Sequence, residues 1–180
     1  PTRRSSGLLG HNASSATIQF SGGNFIAILF LVGLASIVLG MGMNTVAAFL
    51  LVSVVGTPAL TSQGIDPFVA NMFVFYFALL SHITPPVCLA IFAGAQIAGA
   101  NIWKTAFVGM KMSAVPYMLP FLVVFAPALL LIGDPLTIIL DTAAISVGFL
   151  FVISAIQGWA FAPLSLPFRL FYAAIGACLI

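Results

Sequence analysis

The sequence predicts an all-α membrane protein, a helical bundle, and three observations support this fold class. Of its 180 residues 62% are hydrophobic and 4% are charged, whereas soluble proteins carry about 25% charged residues. The apolar residues form long runs bounded by glycine, proline and charged residues, which favours helices over short alternating strands. Polar interruptions occur inside two of these runs, GMGMNT at 40–45 and SHITPP at 81–86. The expected surrounding of the chain is therefore the lipid bilayer.

Charge and cysteine content exclude several classes of protein. The formal net charge of +2 is small, and neither a basic stripe nor interleaved aromatic residues indicate a nucleic-acid groove. Cys88 and Cys178 lie in apolar segments without metal-ligand spacing, so we expect free thiols rather than a metal centre or a disulfide framework. No cofactor is predicted.

The two ends of the chain differ from its centre. Residues 1–22 form a polar segment without the apolar core of a signal peptide. The last apolar run, Phe168–Ile180, makes only about 20 Å of helix, short of the ~30 Å hydrocarbon core. We expect both ends to be cut from a longer polypeptide.

The first apolar element, residues 25–60, is predicted to be a re-entrant hairpin. Its arms, Phe25–Leu39 and Val46–Leu60, would each be about 22 Å long as helices, whereas a spanning helix needs about 20 residues, or 30 Å. Gly40, Gly42 and Asn44 favour a break between the arms. Two complete spans remain the alternative.

The second element, residues 67–98, is predicted to be a discontinuous helix. Pro67 suits the first helical position. Pro85 and Pro86 lack backbone N–H groups and clash with the carbonyls four residues earlier, which should free the carbonyls of Ser81 and His82. The result is two half-helices joined by non-helical backbone. Within the second half, Gly94 and Ala98 offer a small-residue face for close packing of another helix.

A kinked helix at 105–132, which contains three prolines, completes the predicted transport region at 23–132. The C-terminal region, 133–180, should contain one helix from Leu136 to about Trp159 and a truncated one from Phe168. Asp134 precedes Pro135 and is expected to cap a helix. For Asp141, both interfacial solvation and an intramembrane functional carboxylate stay open.

Charge predicts the orientation of these elements. If the hairpin enters and leaves on one side, Lys104, Lys111 and Arg169 fall on one face of the membrane, and Asp66 and Asp134 on the other. Because cytoplasmic loops are enriched in Lys and Arg, the lysine face is expected to be cytoplasmic. The hairpin then opens from the outside.

Both interruptions are candidate ligand sites. Non-helical backbone at membrane depth persists only where protein or a water-filled cavity surrounds it. Each break supplies carbonyls at the end of one helix and N–H groups at the start of the next, which suit a cation and an anion respectively. Their polar side chains are neutral or weakly basic: Asn44, Thr45, Ser81, His82 and Thr84. Neutral oxygens favour sodium, whereas proton coupling would have to run through His82.

These motifs also carry a family resemblance. GMGMNTVAAF, then FVFYFALLSHITPPVCLA, IAGAN and PYMLPFLVVFAPALLL are similar to the second half of the large membrane subunit of tripartite ATP-independent periplasmic (TRAP) transporters. In particular they resemble the fused permeases that work with TAXI-type solute-binding proteins. The resemblance covers roughly Gly22 to Ile132 and rests on two motifs in the right order and spacing.

The resemblance implies a permease of the bacterial inner membrane that imports small organic anions, such as carboxylates, by sodium symport. It implies two inverted repeats, each with a hairpin and a broken helix, that move as an elevator, with the first repeat absent here. An extracytoplasmic solute-binding protein would deliver the substrate. The implied sodium ligands are Gly40, Gly42, Asn44, Thr45, Ser81 and Thr84. The implied substrate-binding residues are Asn44, Thr45, Thr84, Pro85 and Pro86. Asn44 departs from many relatives, which have proline before the threonine.

The sequence is also compatible with other functions. A proton-coupled transporter would use His82. A channel-like or structural subunit would use the breaks for packing alone and would show no ion-dependent change in stability. A membrane enzyme would use Ser81 with His82 or the pair Asp134 and Asp141, and it is not expected. Adjacent residues on one backbone rarely form a nucleophile and its base, and Asp134 lies in a loop without a partner motif.

Overall fold

The computed structural model describes residues 24–159 and 164–180, which fold into helices joined by short turns. This architecture confirms the all-α prediction, whereas the polar segment predicted at 1–22 lies outside the described residues. Among those described, two stretches are long and apolar enough to cross a membrane, Ile102–Phe125 and Pro135–Gln157. Four shorter apolar helices accompany them. The described residues form two compact units, one that ends at Ala106 and one that begins at Phe107.

The first unit contains three helices that pack on one another: α1 (Phe25–Gly40), α2 (Thr45–Thr61) and α3 (Pro67–Leu80). Each begins at a polar cap whose side-chain oxygen accepts backbone N–H groups of the first turn, as this end of a helix requires. The capping residues are Asn24, Asn44 and Asp66. Pro67 occupies the first helical position, as its fixed φ favours.

The helices α1 and α2 form an antiparallel hairpin. Gly40 lies beside Ala48 near the turn, and Val32 lies beside Gly56 farther from it. The observed helix ends lie within one residue of the predicted apolar arms. The re-entrant course of the hairpin through a bilayer stays a prediction.

The helix α3 runs parallel to α1 and packs against both arms. Gly33 of α1 lies against the ring of Phe77, and Gly56 of α2 is wedged between Val32 and Val74. These glycines let three helices approach closely around a buried core of Ile28, Leu29, Val52, Phe73 and Val74. The ends of α1 and α3 and the start of α2 consequently lie at the same end of the unit.

A hydrogen bond fastens the hairpin to α3. The Thr57 hydroxyl donates to Asn71 Oδ1 at 3.0 Å, and Asn71 Nδ2 donates to the Pro67 carbonyl at 2.8 Å. Both side chains lie in otherwise apolar segments, where an unpaired polar group is costly. The pair therefore fixes α2 and α3 relative to each other.

Non-helical backbone follows α3 and precedes α4 (Leu89–Ile97). The gap, residues 81–88, contains the predicted interruption at 81–86. Gly94, predicted to offer a face for another helix, meets no such partner, because a β-carbon there would contact nothing within 4 Å among the described residues. The pattern of small residues predicts a helix surface suited to close packing, but it does not indicate which element packs there.

The helix predicted at 105–132 is shorter and divided. It consists of α5 (Ile102–Met112), α6 (Ala114–Phe125) and a 3₁₀ turn (Pro127–Leu130). The ring of Pro116 would clash with the carbonyl of Met112, four residues earlier, which explains why α5 ends there. Pro127 disfavours helical backbone at Ala126, whose φ and ψ are −126° and 78°. The helix consequently ends at Phe125 rather than near Ile132.

The second unit is built around α7 (Pro135–Gln157) and α8 (Leu166–Leu179), which cross closely. Gly148 and Gly176 form the crossing point: a β-carbon on Gly176 would lie 2.9 Å from the Gly148 carbonyl oxygen. Phe151 and Tyr172 pack one turn further along, with ring centroids 5.2 Å apart. Two adjacent small residues thus bring the backbones together.

The acidic residues of α7 occupy its first turns. Asp134 is the residue before the helix, as predicted, but its side chain makes no capping hydrogen bond. Asp141 is half-buried and lies about 9 Å of helical rise beyond Pro135. The two roles open for Asp141 stay predictions.

Candidate functional site

The candidate site is the end of the first unit where α1 and α3 stop and α2 starts. Its closest contact joins the two sequence interruptions: a β-carbon on Gly40 would lie 2.7 Å from Ser81 Oγ and 3.0 Å from Ser81 Cβ. Both residues are buried, with Ser81 only 1% exposed. Only a residue without a side chain fits at position 40 with this backbone and this serine.

The first interruption is a tight turn between α1 and α2. The Met43 N–H donates to the Gly40 carbonyl at 3.3 Å, and Gly42 has a φ of +78°, which favours glycine. Asn44 Oδ1 accepts the Val46 N–H at 3.0 Å. Asn44 therefore caps α2, which leaves the second lone pair of its amide oxygen for another partner.

The second interruption keeps its hydroxyls close to the end of α3. Ser81 Oγ donates to the Ala78 carbonyl and Thr84 Oγ1 donates to the Leu80 carbonyl, each at 2.7 Å. A hydroxyl that donates its proton keeps its oxygen lone pairs as acceptors, the property a cation ligand needs. The Pro85–Pro86 peptide bond is cis, and Cys88, with φ +31°, precedes α4.

The expectation that both carbonyls at the break would be free is wrong for His82. Its carbonyl accepts the N–H of Ala90, in the first turn of α4, at 3.2 Å. The backbone carbonyl of Thr84 likewise accepts a hydrogen bond from the Cys88 N–H at 3.2 Å. The first bond ties the start of α4 to residue 82, and the second lies within the interruption. Both follow the rule that buried backbone groups are almost always hydrogen-bonded.

His82 is half-buried beside the same helix end. Its Nδ1 lies 3.3 Å from the Leu79 carbonyl oxygen and 3.4 Å from Ser81 Oγ. A hydrogen bond to the carbonyl requires the proton on Nδ1, which leaves Nε2 as an acceptor in the neutral ring. This contact gives the imidazole a structural partner.

The helix ends give the site its electrostatic character. Each helix C-terminus carries a partial negative charge of about half an elementary charge, and each N-terminus an equal positive one. Here two C-termini, of α1 and α3, meet the N-terminus of α2, and the start of α4 is tied to the residues after α3 through the Ala90 N–H. In a low-dielectric surrounding this arrangement favours a cation near Gly40 and Ser81, and an anion near the α2 start.

The donor set favours a monovalent cation. No group of three or more His, Cys, Asp and Glu side chains lies together in residues 24–159 and 164–180. The oxygens near the contact come instead from backbone carbonyls and hydroxyls. Divalent and transition metals prefer carboxylate, imidazole or thiolate ligands, whereas the oxygens near this contact are neutral.

Sequence reasoning singled out residues that the structure only partly brings together. Gly40 and Ser81 are in contact, whereas Asn44 and Thr84 have hydrogen-bond partners within their own local segments. Ser36 was missed: it is fully buried one turn before Gly40, and its hydroxyl donates to the Val32 carbonyl at 2.7 Å. The sequence feature that could have identified Ser36 is its position, one helical turn before Gly40 in an otherwise apolar arm.

Comparison with known families gave one match. A model of the family described as "Tripartite ATP-independent periplasmic transporter, DctM component" matches residues 8–137, more than two thirds of the chain. The matched stretch includes both interruptions. No curated protein and no solved structure matched significantly.

Proposed function

The chain belongs to the family of the DctM component, the large membrane component of tripartite ATP-independent periplasmic transporters, and we propose that it couples sodium entry to the import of a small organic anion. This is a family of transporters rather than of enzymes. Membership implies work with a periplasmic solute-binding protein. The finer proposals concern the coupling ion, the substrate class and the residues that hold them.

The contact between Gly40 and Ser81 carries the proposal. It joins the two places where the apolar segments are interrupted, which lie in different helices. If the breaks served only to bend individual helices, nothing would require them to meet. Their meeting supports one site formed from both, in which sodium is bound by residues of the turn and of the broken helix.

We propose that the sodium ligands come from the carbonyl ends of α1 and α3 and from the Ser81 and Thr84 hydroxyl oxygens. The predicted contributions of Gly42, Asn44 and Thr45 belong to the same proposal. The second lone pair of Asn44 Oδ1 supports a role for its amide. A sodium ion there would offset the negative ends of two helices, which lowers the cost of bringing those ends together.

We place the organic anion at the start of α2, beside Asn44 and Thr45. A carboxylate suits this position because the N–H groups of a first turn point toward an approaching anion. Thr84, Pro85 and Pro86 would form the opposite wall. An ion bound next to this wall would favour anion binding through charge attraction, so each ligand would raise the affinity for the other.

We propose that the chain lies in the bacterial inner membrane as the second repeat of a fused permease that works with a TAXI-type binding protein. In the proposed orientation Lys104, Lys111 and Arg169 face the cytoplasm, and the hairpin moves as part of an elevator. Proteoliposomes with and without the binding protein test the partnership. Full uptake without it would contradict that part of the proposal while leaving a simpler secondary transporter.

A proton-coupled transporter is the second candidate, and the position of His82 favours it. The imidazole lies at the same helix end, within 3.4 Å of Ser81 Oγ. His82→Asn places an amide nitrogen near the position of Nδ1 and removes the titratable group. Sodium-driven uptake that survives this change supports the sodium proposal, whereas abolished uptake in a folded variant supports the proton.

A further inference from the structure

A cavity lies between α7 and α8, at the end where α7 stops. Its volume is about 530 Å³, and it is a broadly open groove rather than an enclosed space. Among the described residues its lining is apolar apart from one cation, and these lining residues are Ala155, Ile156, Leu166, Arg169, Leu170 and Ala173. All of these lining residues belong to the part of the chain beyond the family match, which ends at residue 137.

Arg169 is held in the wall by the end of α7. Its Nε donates to the Ala155 carbonyl at 2.9 Å and its Nη2 donates to the Ile156 carbonyl at 3.2 Å. Gly158 has a φ of +76°, and a β-carbon there would come 3.2 Å from Arg169 Cζ. The missing side chain leaves room for the guanidinium, which is thereby fixed before any ligand arrives.

The guanidinium retains donors for a ligand. It carries five N–H groups, and the two carbonyl contacts need only two of them. No carboxylate in residues 24–159 and 164–180 forms an ion pair with it. Asp141 is too distant, since about 21 Å of helix separates it from Ala155. The positive charge is therefore balanced by helix carbonyls alone, among the parts of the chain described.

The position of the cavity matches the membrane interface. The 23 residues of α7 span about 34 Å, somewhat more than the hydrocarbon core. Asp134 lies at one end, and Arg169 with the exposed Trp159 lies at the other. Trp and Arg are typical of the depth at which lipid headgroups meet acyl chains.

We propose that this cavity is a binding site for an acidic phospholipid, whose phosphate contacts Arg169 and whose acyl chain lies along the apolar lining. A cation fixed beside an apolar wall is complementary to a molecule that is anionic at one end and apolar at the other. A free phosphate would use the cation and leave the apolar wall exposed. A lipid with no net charge would leave the charge of Arg169 unmatched.

Two substitutions test the two halves of the site independently. Arg169→Gln removes the charge, with Lys111→Gln as the control for loss of a cation elsewhere. Ala173→Phe fills the apolar part and keeps the charge of Arg169. Its control is Ala174→Phe, which adds the same ring to an exposed neighbour on α8 that does not line the cavity.

Binding of phosphatidylglycerol to the purified full chain, titrated by native mass spectrometry against phosphatidylcholine, gives the readout. We expect wild type to prefer phosphatidylglycerol, and both cavity variants to bind it about tenfold more weakly, the cost of one charge-assisted contact or of lost apolar burial. Both controls should match wild type. Unchanged binding in Ala173→Phe would overturn the site even if Arg169→Gln fails to fold. Competition by inorganic phosphate at equal concentration would overturn the lipid as its occupant.

Discussion

Gly40 and Ser81 lie in direct contact at the meeting point of two helix ends, with space for no atom of a side chain on residue 40. Gly40 is the last residue of α1, and Ser81 is the first residue after α3. This relationship brings two separate sequence interruptions together. It also leaves no room for the methyl group of an alanine at position 40.

Gly40→Ala should destabilise the fold and reduce uptake. The new methyl group would meet Ser81 Oγ at 2.7 Å, and that hydroxyl cannot swing away without losing its bond to Ala78. Overpacking of this kind costs about 1–3 kcal/mol. Thermal unfolding in detergent measures the first effect, and transport in proteoliposomes the second.

Gly94→Ala is the matched control, because it adds the same methyl group in a helix where nothing among the described residues lies within 4 Å. It should leave stability unchanged or raise it by up to about 1 kcal/mol. In the double variant, Ser81→Ala should recover part of the loss caused by Gly40→Ala. Fully additive losses would contradict the contact.

Asn44→Ala should raise the sodium concentration needed for half-maximal uptake. The change removes a proposed ligand together with a helix cap, which by itself is worth about 1 kcal/mol. Asn24→Ala is the control, since Asn24 caps α1 with the same geometry, its Oδ1 accepting the Ile26 N–H at 3.0 Å. Equal sodium requirements in the two variants would remove Asn44 from the site.

Thr84→Ala should shift the sodium requirement in the same direction. The hydroxyl oxygen is a proposed ligand, and its removal leaves the backbone of the interruption with its other hydrogen bonds. Ser53→Ala removes a hydroxyl that donates to the Leu50 carbonyl on an exposed face of α2, and serves as control. The same sodium dependence in both variants would contradict the assignment of Thr84 as a sodium ligand.

Much of the fold was predictable because membrane helices obey length and proline rules. The double proline at 85–86 indicated the interruption after α3, and the glycines after residue 39 indicated the turn. Both signals are local in sequence, so no tertiary information was needed. The position of Pro116 could also have divided the helix predicted at 105–132, since the clash with Met112 follows from spacing alone.

The contact between the interruptions could not be predicted in the same way. Gly40 meets Ser81 because Gly33 and Gly56 allow three helices to approach closely. A glycine in an apolar run does not indicate which residue it will contact. Gly94 shows the converse, a small residue whose expected partner is absent among the described residues. The Ala90 bond to the His82 carbonyl likewise depends on how the chain turns after the break.

Thr57→Val should loosen the attachment of the hairpin to α3. It leaves the half-buried Asn71 Oδ1 without the donor now at 3.0 Å, and loss of one hydrogen bond costs about 0.5–1.5 kcal/mol. Hydrogen exchange of the α2 amides should therefore quicken in the variant. Exchange rates equal to those of wild type would show that packing alone joins the two elements.

Gly176→Ala should destabilise the second unit. A methyl group would come within 2.9 Å of the Gly148 carbonyl oxygen and 2.6 Å of Val152 Cγ2, and the backbone atom cannot rotate away. Ala177→Ser, a change of similar size on an exposed position of α8, is the control. Unfolding at the wild-type temperature in both variants would contradict the close crossing of α7 and α8.

The most direct test of the account is uptake of labelled carboxylates by the complete protein in proteoliposomes, with its solute-binding protein, under either a sodium gradient or a proton gradient. Sodium alone should drive uptake, because the oxygens around Gly40 and Ser81 are neutral and suit a dehydrated monovalent cation. Uptake driven only by protons would contradict this account and would make His82 the centre of the coupling mechanism.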